Sequence, residues 1–351
     1  LKTYLRTGKN KMTEKKRNSI YEIAKKAGVS IATVSRVLNN SKFVKDSTKK
    51  RVLKIIKELD YRPNFFARNL VKNKSKTIGL LIPDIMNPVF PEMAKGISDK
   101  AFLKGYTVFL CNTDSSVKKE TELLKNLLEK NIAGIIFIST EMNKFKGDSR
   151  HYLYLYNKNI PTVFINGMLK DVDIPFVRIN EVKAGYLATI HMLKKGIKKI
   201  AFLGGSLKFI PTYEKLQGYK KALKEFGVPI EKKYIIFDDY NVEIGFRNTL
   251  KLLETSYRPE GIITANDVLA IEVIKASNIK GFNVPKDLKV IGFDDISFSS
   301  TYSPSITTIA QPKYEMGAMA LDMLVRLIEK KDIPKRKILV EPKLILRDSC
   351  P

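Results

Sequence analysis

SIYEIAKKAGVSIATVSRVLN, running from Ser19 to Asn39, is the stretch whose reading decides what kind of protein this is. Ser19 and Glu22 stand in the S-x-x-E spacing of a capping box, just ahead of Ile20, Ile23, Ala24 and Ala27 at helical spacing on one face. Ala24 is small enough for a second helix to approach closely, and Gly28, free to take a positive backbone angle, ends the first one. Ser30 can cap a second helix whose Val34, Val37 and Leu38 face inward, leaving Ile31, Ala32, Thr33, Ser35 and Arg36 outward. That outward set is short, polar and basic. It suits a DNA major groove, where Ser and Thr bond base edges or phosphates, Arg bonds guanine or phosphate, and Ile or Ala touches a thymine methyl. The A-G-V-S quartet alone would equally fit a small helical hairpin whose Ser and Thr only cap helices.

Charge points the same way. Residues 1–76 hold 22 Lys and Arg against 5 Asp and Glu, a net of +17 out of the chain's +27, which leaves +10 for the other 275 residues. Such an asymmetry is the electrostatic footprint of phosphate neutralisation, although a Lys-rich genome would contribute to it. A third helix is expected to begin at Asp46 and Ser47, with Val52, Leu53, Ile56 and Leu59 closing a three-helix head. After Pro63, residues 64–72 suffice for only two helical turns, marginal by themselves, and are expected to order against a dimer mate on DNA. Residues 1–18 are basic and show no periodicity. They read as an unstructured arm, or as a non-native leader with Met12 as the true start.

The run Ile20 to Asn39 closely resembles the head of the LacI-type (lactose-repressor) family of bacterial transcription regulators. Tyr61-Arg62-Pro63-Asn64, with Ala67 and Leu70, is similar to that family's hinge. The resemblance implies a helix-turn-helix DNA-binding domain over 19–62, a hinge over 63–76 and an effector-binding and dimerisation core over 77–351. It also implies a DNA-contacting set: Tyr21, Ser30, Ile31, Ala32, Thr33, Ser35, Arg36 and Asn39 in the head, and Asn64, Ala67 and Leu70 in the hinge, with Leu70 either a wedge in the minor groove or packed against the head.

Beyond Lys76, β-branched runs alternate with amphipathic stretches of three to four turns. Thr77–Ile82, Thr107–Cys111, Gly134–Ser139, Thr162–Asn166, Lys199–Gly204, Tyr234–Phe237, Gly261–Ala265 and Lys289–Phe293 read as strands, with Cys111 in a buried one. Alternation of this kind means parallel sheets covered by helices, and the number of strands favours two sheets. The fold class is therefore a small all-α head plus an α/β core of two parallel-sheet subdomains. The resemblance sharpens the core to a periplasmic-binding-protein-like architecture, with subdomains at about 77–176 with 310–330 and at about 177–307 with 331–351. The chain would cross between them near 175–180, 307–311 and 328–334.

Inventory argues against other classes. No apolar run approaches the ~18 to 20 residues of a membrane helix and no signal-peptide core is present, so a cytoplasmic protein is expected. His151 and His191 are the only histidines and Cys111 and Cys350 the only cysteines, with no metal-ligand spacing, no G-x-S-x-G elbow and no phosphate-binding loop. No enzyme activity, cofactor or metal is expected, nor a leucine-heptad tail for tetramers.

Clefts at the carboxyl ends of parallel strands bind ligands, and there Asp84, Asn87 and Phe90 follow the first strand, Asn266 and Asp267 another, and Asp294 and Asp295 a third. Carboxylates and amides that bond paired hydroxyls, beside an aromatic that covers a ring face, fit a sugar or sugar derivative. Equally, Asp267 would cap a helix, Asn266 and Asp295 make turns, and Phe90 and Tyr240 be core. The resemblance implies that Phe90, Lys215, Tyr240, Asn266, Asp294 and Gln311 line an effector pocket. Family members usually carry Arg where Lys215 stands, and Lys lacks its bidentate fork. The catabolite control proteins within the family, some with Lys there, respond to a phosphorylated carrier protein, but Asp322 stands where they have a partner-binding Arg. The reading is a homodimeric repressor of carbohydrate-utilisation genes on a palindromic operator, switched by a small molecule. Its alternatives are control by a phosphorylated carrier protein, and a cytoplasmic sugar sensor without DNA function.

Overall fold

Local capping starts the fold where the spacing predicts. In the computed structural model, which describes residues 19–38, 43–61, 75–138, 144, 147–168, 172–237 and 242–351, the chain divides into two units, Leu1–Lys74 and Ser75–Pro351. The first unit contains α1 (Ile20–Ala27), α2 (Ile31–Leu38) and α3 (Asp46–Glu58). Ser19 Oγ accepts the Glu22 N–H, and Gly28 ends α1 at φ 60°, the left-handed turn that only a residue without Cβ takes without strain. Ile23, Ala24, Ala27, Val34, Val37, Val52 and Ile55 form the core, with Leu38, Ile56 and Leu59 packed at its edge. Leu53, expected inside, is 45% exposed, and Ile55 takes its place. Positions 52, 55, 56 and 59 follow the i, i+3, i+4, i+7 pattern of one face, whereas 53 lies a full residue's rotation away.

The second unit runs β1 (Thr77–Ile82), α4 (Val89–Leu103), β2 (Thr107–Asn112), α5 (Val117–Glu129), β3 (Gly134–Phe137), α6 (Arg150–Asn157), β4 (Thr162–Ile165) and β5 (Phe176–Ile179). It continues with α7 (Glu181–Lys194), β6 (Ile200–Gly204), α8 (Ile210–Glu225), β7 (Ile235–Phe237), α9 (Val242–Leu253), β8 (Gly261–Thr264) and α10 (Asp267–Ile279). Last come β9 (Lys289–Asp294), α11 (Ser297–Thr301), β10 (Thr307–Ala310), α12 (Lys313–Ile328), β11 (Lys337–Val340) and β12 (Lys343–Ile345).

Two six-stranded sheets result, in the orders β11-β5-β4-β3-β1-β2 and β12-β10-β9-β8-β6-β7. Among the described residues every pairing between these strands is parallel except β10 with β12. The interior strand β1, between β3 and β2, is buried along its whole length, as a parallel strand covered by helices on both faces must be. By contrast β2 is an edge strand, with Phe109 and Leu110 exposed and Cys111 half-buried, so Cys111 does not sit in a buried strand.

The chain crosses between sheets after Ile179, after Ala310 and at Glu341–Pro342. The last point lies later than the expected 328–334. β11 pairs in parallel with β5, Lys337 opposite Phe176 and Val340 opposite Ile179, so both strands belong to the first sheet rather than the second. Both strands are only four residues long, and β11 is half-exposed at the sheet's edge, which leaves too weak a periodicity to announce such a non-local pairing.

Two pairs of glycines set how closely the covering helices approach. A Cβ on Gly96 would lie 2.1 Å from the Tyr314 carbonyl oxygen and one on Gly317 2.2 Å from that of Met93, so α4 and α12 touch backbone to backbone. In the second subdomain a Cβ on Gly185 would lie 2.0 Å from the Lys215 oxygen, and one on Gly218 2.0 Å from that of Val182, locking α7 against α8.

Candidate functional site

In the head, burial of Val34 and Val37 against α1 and α3 fixes which side of α2 faces solvent. Ile31 (40%) and Tyr21 (69%) are exposed, as are Ser30, Ala32 and Arg36, while Thr33 and Ser35 are half-buried. Ser30 Oγ accepts the Thr33 N–H at 3.2 Å and lies 2.9 Å from Thr33 Oγ1, so Ser30 caps α2 and still presents its hydroxyl at the helix N-terminus. The N-terminal residues of α2 thus offer a side-chain set of the kind a recognition helix brings to base edges. Asn39, Asn64, Ala67 and Leu70 lie outside the described residues.

The second site lies between the two sheets of the second unit, at the carboxyl ends of their strands. All seven described residues expected of a pocket there, Asp84, Asn87, Phe90, Lys215, Asn266, Asp294 and Gln311, line one cavity of about 690 Å³; Tyr240 lies outside the described residues. Several have local duties as well. Asp84 Oδ1 accepts the Met86 N–H and Asn87 Oδ1 the Val89 N–H, shaping the turn into α4. Asn266, rather than Asp267, caps α10, its Oδ1 accepting the Leu269 N–H at 2.9 Å and leaving the amide Nδ2 as a donor on the cavity side.

Asp267 has a different task. Fully buried, it accepts hydrogen bonds from the Ile296 N–H (3.0 Å), the Ser299 hydroxyl (2.7 Å) and the Thr308 hydroxyl (2.6 Å), and so ties the start of α10 to the loop after β9, to α11 and to β10 below the cavity floor. Gly292 permits this, since a Cβ there would lie 2.1 Å from Asp267 Oδ1.

Above that floor sits Asp294, whose φ of 103° turns its carboxylate out of β9. Its Oδ1 accepts the Gln311 Nε2–H at 2.7 Å, and burial pushes its pKa up against the opposing pull of Lys215, Gln311 and Lys313. Lys313, 3% exposed, donates to the carbonyls of Asp294 (2.6 Å) and Asp295 (2.9 Å) and lies 3.2 Å from Glu92, joining the start of α12 to the loop after β9. Asp295 is held by Arg347 at 2.6 Å.

Lys215 is buried too. Its Nζ lies 3.2 Å from Glu181 Oε2 and 4.9 Å from the centre of the Phe293 ring. Burial raises the Glu181 pKa, and the Lys215 ammonium opposes that rise. The close crossing of α7 and α8 at Gly185 and Gly218 brings the two side chains together. Glu181, Asn166 and Phe209 also line the cavity and went unnoticed in the sequence. Asn166 could have been found, because it follows β4 at its carboxyl end; Glu181 follows a strand that reads as a mere crossing.

Comparison with known proteins settles the kinship. Residues 19–64 match the family described as bacterial regulatory proteins, lacI family, and residues 189–350 a periplasmic binding protein-like domain. The HTH-type transcriptional regulator RegA of Clostridium saccharobutylicum is 38% identical over 333 residues, 94% of this chain and 98% of the relative. The chain belongs to the lacI family of bacterial regulatory proteins. A second family member, catabolite control protein A of Priestia megaterium, is 37% identical over 94% of this chain and 98% of its own length. The crystal structure of the Lac repressor dimer bound to operator and the anti-inducer ONPF superposes with a TM-score of 0.84 at 26% identity, over 95% of this chain and 99% of that one. This lacI-family chain is a DNA-binding transcriptional regulator of the repressor type. Its relatives are regulators rather than enzymes, and none of its described helices is long and apolar enough to cross a membrane.

Proposed function

We propose that a homodimer of this chain places the two α2 helices in successive major grooves of a near-palindromic operator, and that a small molecule between the two sheets sets operator affinity. The observation that carries the first half is the outward face of α2, where Ile31, Ala32 and Arg36 are exposed, Thr33 and Ser35 half-buried, and Val34 and Val37 hold the helix from behind. Tyr21 and Ser30 add contacts to the flanking phosphates, and Arg36 reads a base or a phosphate. The head takes residues 19–62 and the hinge 63–76. On the sequence alone, Asn39, Asn64, Ala67 and Leu70 complete the contact set.

Dimerisation draws support from β2. Its exposed Phe109 and Leu110 stand on an open parallel edge, and Phe102 (81%) and Leu103 (78%) are bare at the end of neighbouring α4. An apolar edge of this kind needs cover, and a second copy supplies it. The polar cavity supports the second half, with the cleft binding rather than transforming its ligand, in a cytoplasmic regulator of carbohydrate-utilisation genes. Effector and operator must then alter each other's affinity reciprocally. Asp322 supports a small molecule over a phosphorylated carrier protein. It lies between Lys100 (3.4 Å) and Lys104 (3.1 Å), an anion at the position where such a partner would require a cation.

Selection of bound duplexes from a random pool tests the reading. Enrichment of two inverted half-sites is the expected result. A single asymmetric site would refute the dimer, and no enrichment would refute sequence recognition by α2.

A further inference from the structure

The cleft's charge balance narrows its ligand. The charged side chains in the described wall are the carboxylates of Asp84, Glu181 and Asp294 and the single ammonium of Lys215. That ammonium is already engaged: Glu181 Oε2 lies 3.2 Å away, the Phe293 ring covers it, and both partners of the pair are more than nine-tenths buried. The next buried cation, Lys313, is bound to two carbonyls behind Asp294 and paired with Glu92. Lys144 stands over the Phe209 ring and is not part of the wall.

With Glu181 and Asp294 ionised the described wall carries an excess of negative charge, and its one ammonium is held by Glu181 at 3.2 Å. Among the described residues no surplus positive charge is left to receive a phosphate or carboxylate, and a phosphate dianion would meet buried carboxylates it could not neutralise. What the wall does offer is alternating acceptors and donors. Asp294 accepts, Asn266 Nδ2 and Lys215 donate, and Gln311 Oε1 is a buried acceptor that receives no hydrogen bond from any described residue. Phe90 and Phe209 supply flat apolar cover. Hydroxyl groups, each both donor and acceptor, match this pattern, and anions do not.

We propose that the cleft takes an uncharged polyhydroxylated molecule, a sugar or polyol without phosphate or carboxylate, and that the Glu181–Lys215 pair rejects the phosphorylated form. This rests on the reading of the cleft as an effector site. It assigns Glu181 a part in specificity: by neutralising Lys215 it removes the one ammonium among the described wall residues that a phosphate could use.

The test uses the full-length protein, thermal unfolding and calorimetry, and probes that differ only in phosphate: glucose against glucose 6-phosphate, ribose against ribose 5-phosphate, and inorganic phosphate alone. Any sugar that stabilises the protein should lose at least about a hundredfold in affinity on phosphorylation. Inorganic phosphate should give no saturable stabilisation of the wild type, and Glu181→Gln should bind it at least about tenfold more tightly than the wild type does. Should that variant fail to fold, Asp294→Asn makes the same comparison from the other carboxylate. Saturable binding of phosphate or of a phosphorylated sugar to the wild type, abolished by Lys215→Met, would overturn the proposal, as would a Glu181→Gln protein that folds and gains no phosphate affinity. These phosphate arms decide the matter even if neither sugar binds. A sugar that binds in the expected way but leaves operator affinity unchanged would refute the effector role while leaving the ligand class standing.

Discussion

Replacing Asp267 with Asn should make the protein more stable at pH 8 and nearly unchanged at pH 4. The carboxyl group is enclosed by Ile296, Ser299 and Thr308, and burial, reinforced by the charge of Asp294, outweighs those three donors and pushes its pKa from 3.8 up to about 7. In the unfolded chain the group ionises at its ordinary value. Between roughly pH 4 and pH 7, then, the folded state holds a proton that the unfolded state has released. A folded state that binds more protons is weakened as pH rises. The wild type therefore loses stability across this window and holds level on either side of it with respect to this group. About three pKa units at about 1.36 kcal/mol each give a loss on the order of 4 kcal/mol. Asn preserves the hydrogen bonds that the protonated acid makes: its oxygen accepts from Ile296 and Ser299, and its amide donates to Thr308 Oγ1 after that hydroxyl rotates. Urea unfolding followed by far-UV circular dichroism from pH 4 to pH 8 reads the difference, the chain having no Trp for fluorescence. Parallel pH profiles for the wild type and Asp267→Asn would refute the reasoning, because they would mean that Asp267 is ionised at its ordinary pH in the folded protein.

Other perturbations probe the helix contacts and the head. Gly185→Ala puts a methyl 2.0 Å from the Lys215 oxygen, so α7 and α8 must part by more than about 1 Å. It should cost about 1–3 kcal/mol and weaken any ligand of the cleft; an unchanged melting temperature would refute the close approach. Lys313→Met strips donors from the carbonyls of Asp294 and Asp295 and should destabilise the core by about 2 kcal/mol, with a loss below about 0.5 kcal/mol in urea unfolding contradicting that role. Affinity for a random-sequence duplex should fall about a thousandfold or more between ~50 and ~200 mM salt if ~6 to 10 phosphates are contacted, and a flat salt dependence would contradict the charge argument. Arg36→Ala should weaken operator binding by about 1–3 kcal/mol. A loss confined to one base position makes Arg36 a base reader, and a uniform loss assigns it to phosphate.

The head and the cleft differ in how far the sequence discloses them. In the head, every force that shapes the turn acts within a few residues: the Ser19 cap, the left-handed Gly28 and the Ser30 cap are neighbours along the chain. Leu53 is 45% exposed and Ile55 is buried in its place, as the helical spacing of Val52, Ile55, Ile56 and Leu59 on one face requires. The cleft residues Asp84, Asn266 and Asp294 were visible because each follows a readable strand. Glu181 was not, since β5 is four residues long and finds its neighbour β11 more than 150 residues further along the chain.

From its residues alone, the chain determined its helix-turn-helix, its alternation of strands and helices, and the polar character of the strand ends, because periodicity, capping and turn chemistry are local. What the pocket can accept was decided only by tertiary structure. Whether Lys215 is an open cation or one half of a buried pair depends on two helices pressed together at Gly185 and Gly218. That contact joins side chains 34 positions apart, beyond the reach of any local pattern.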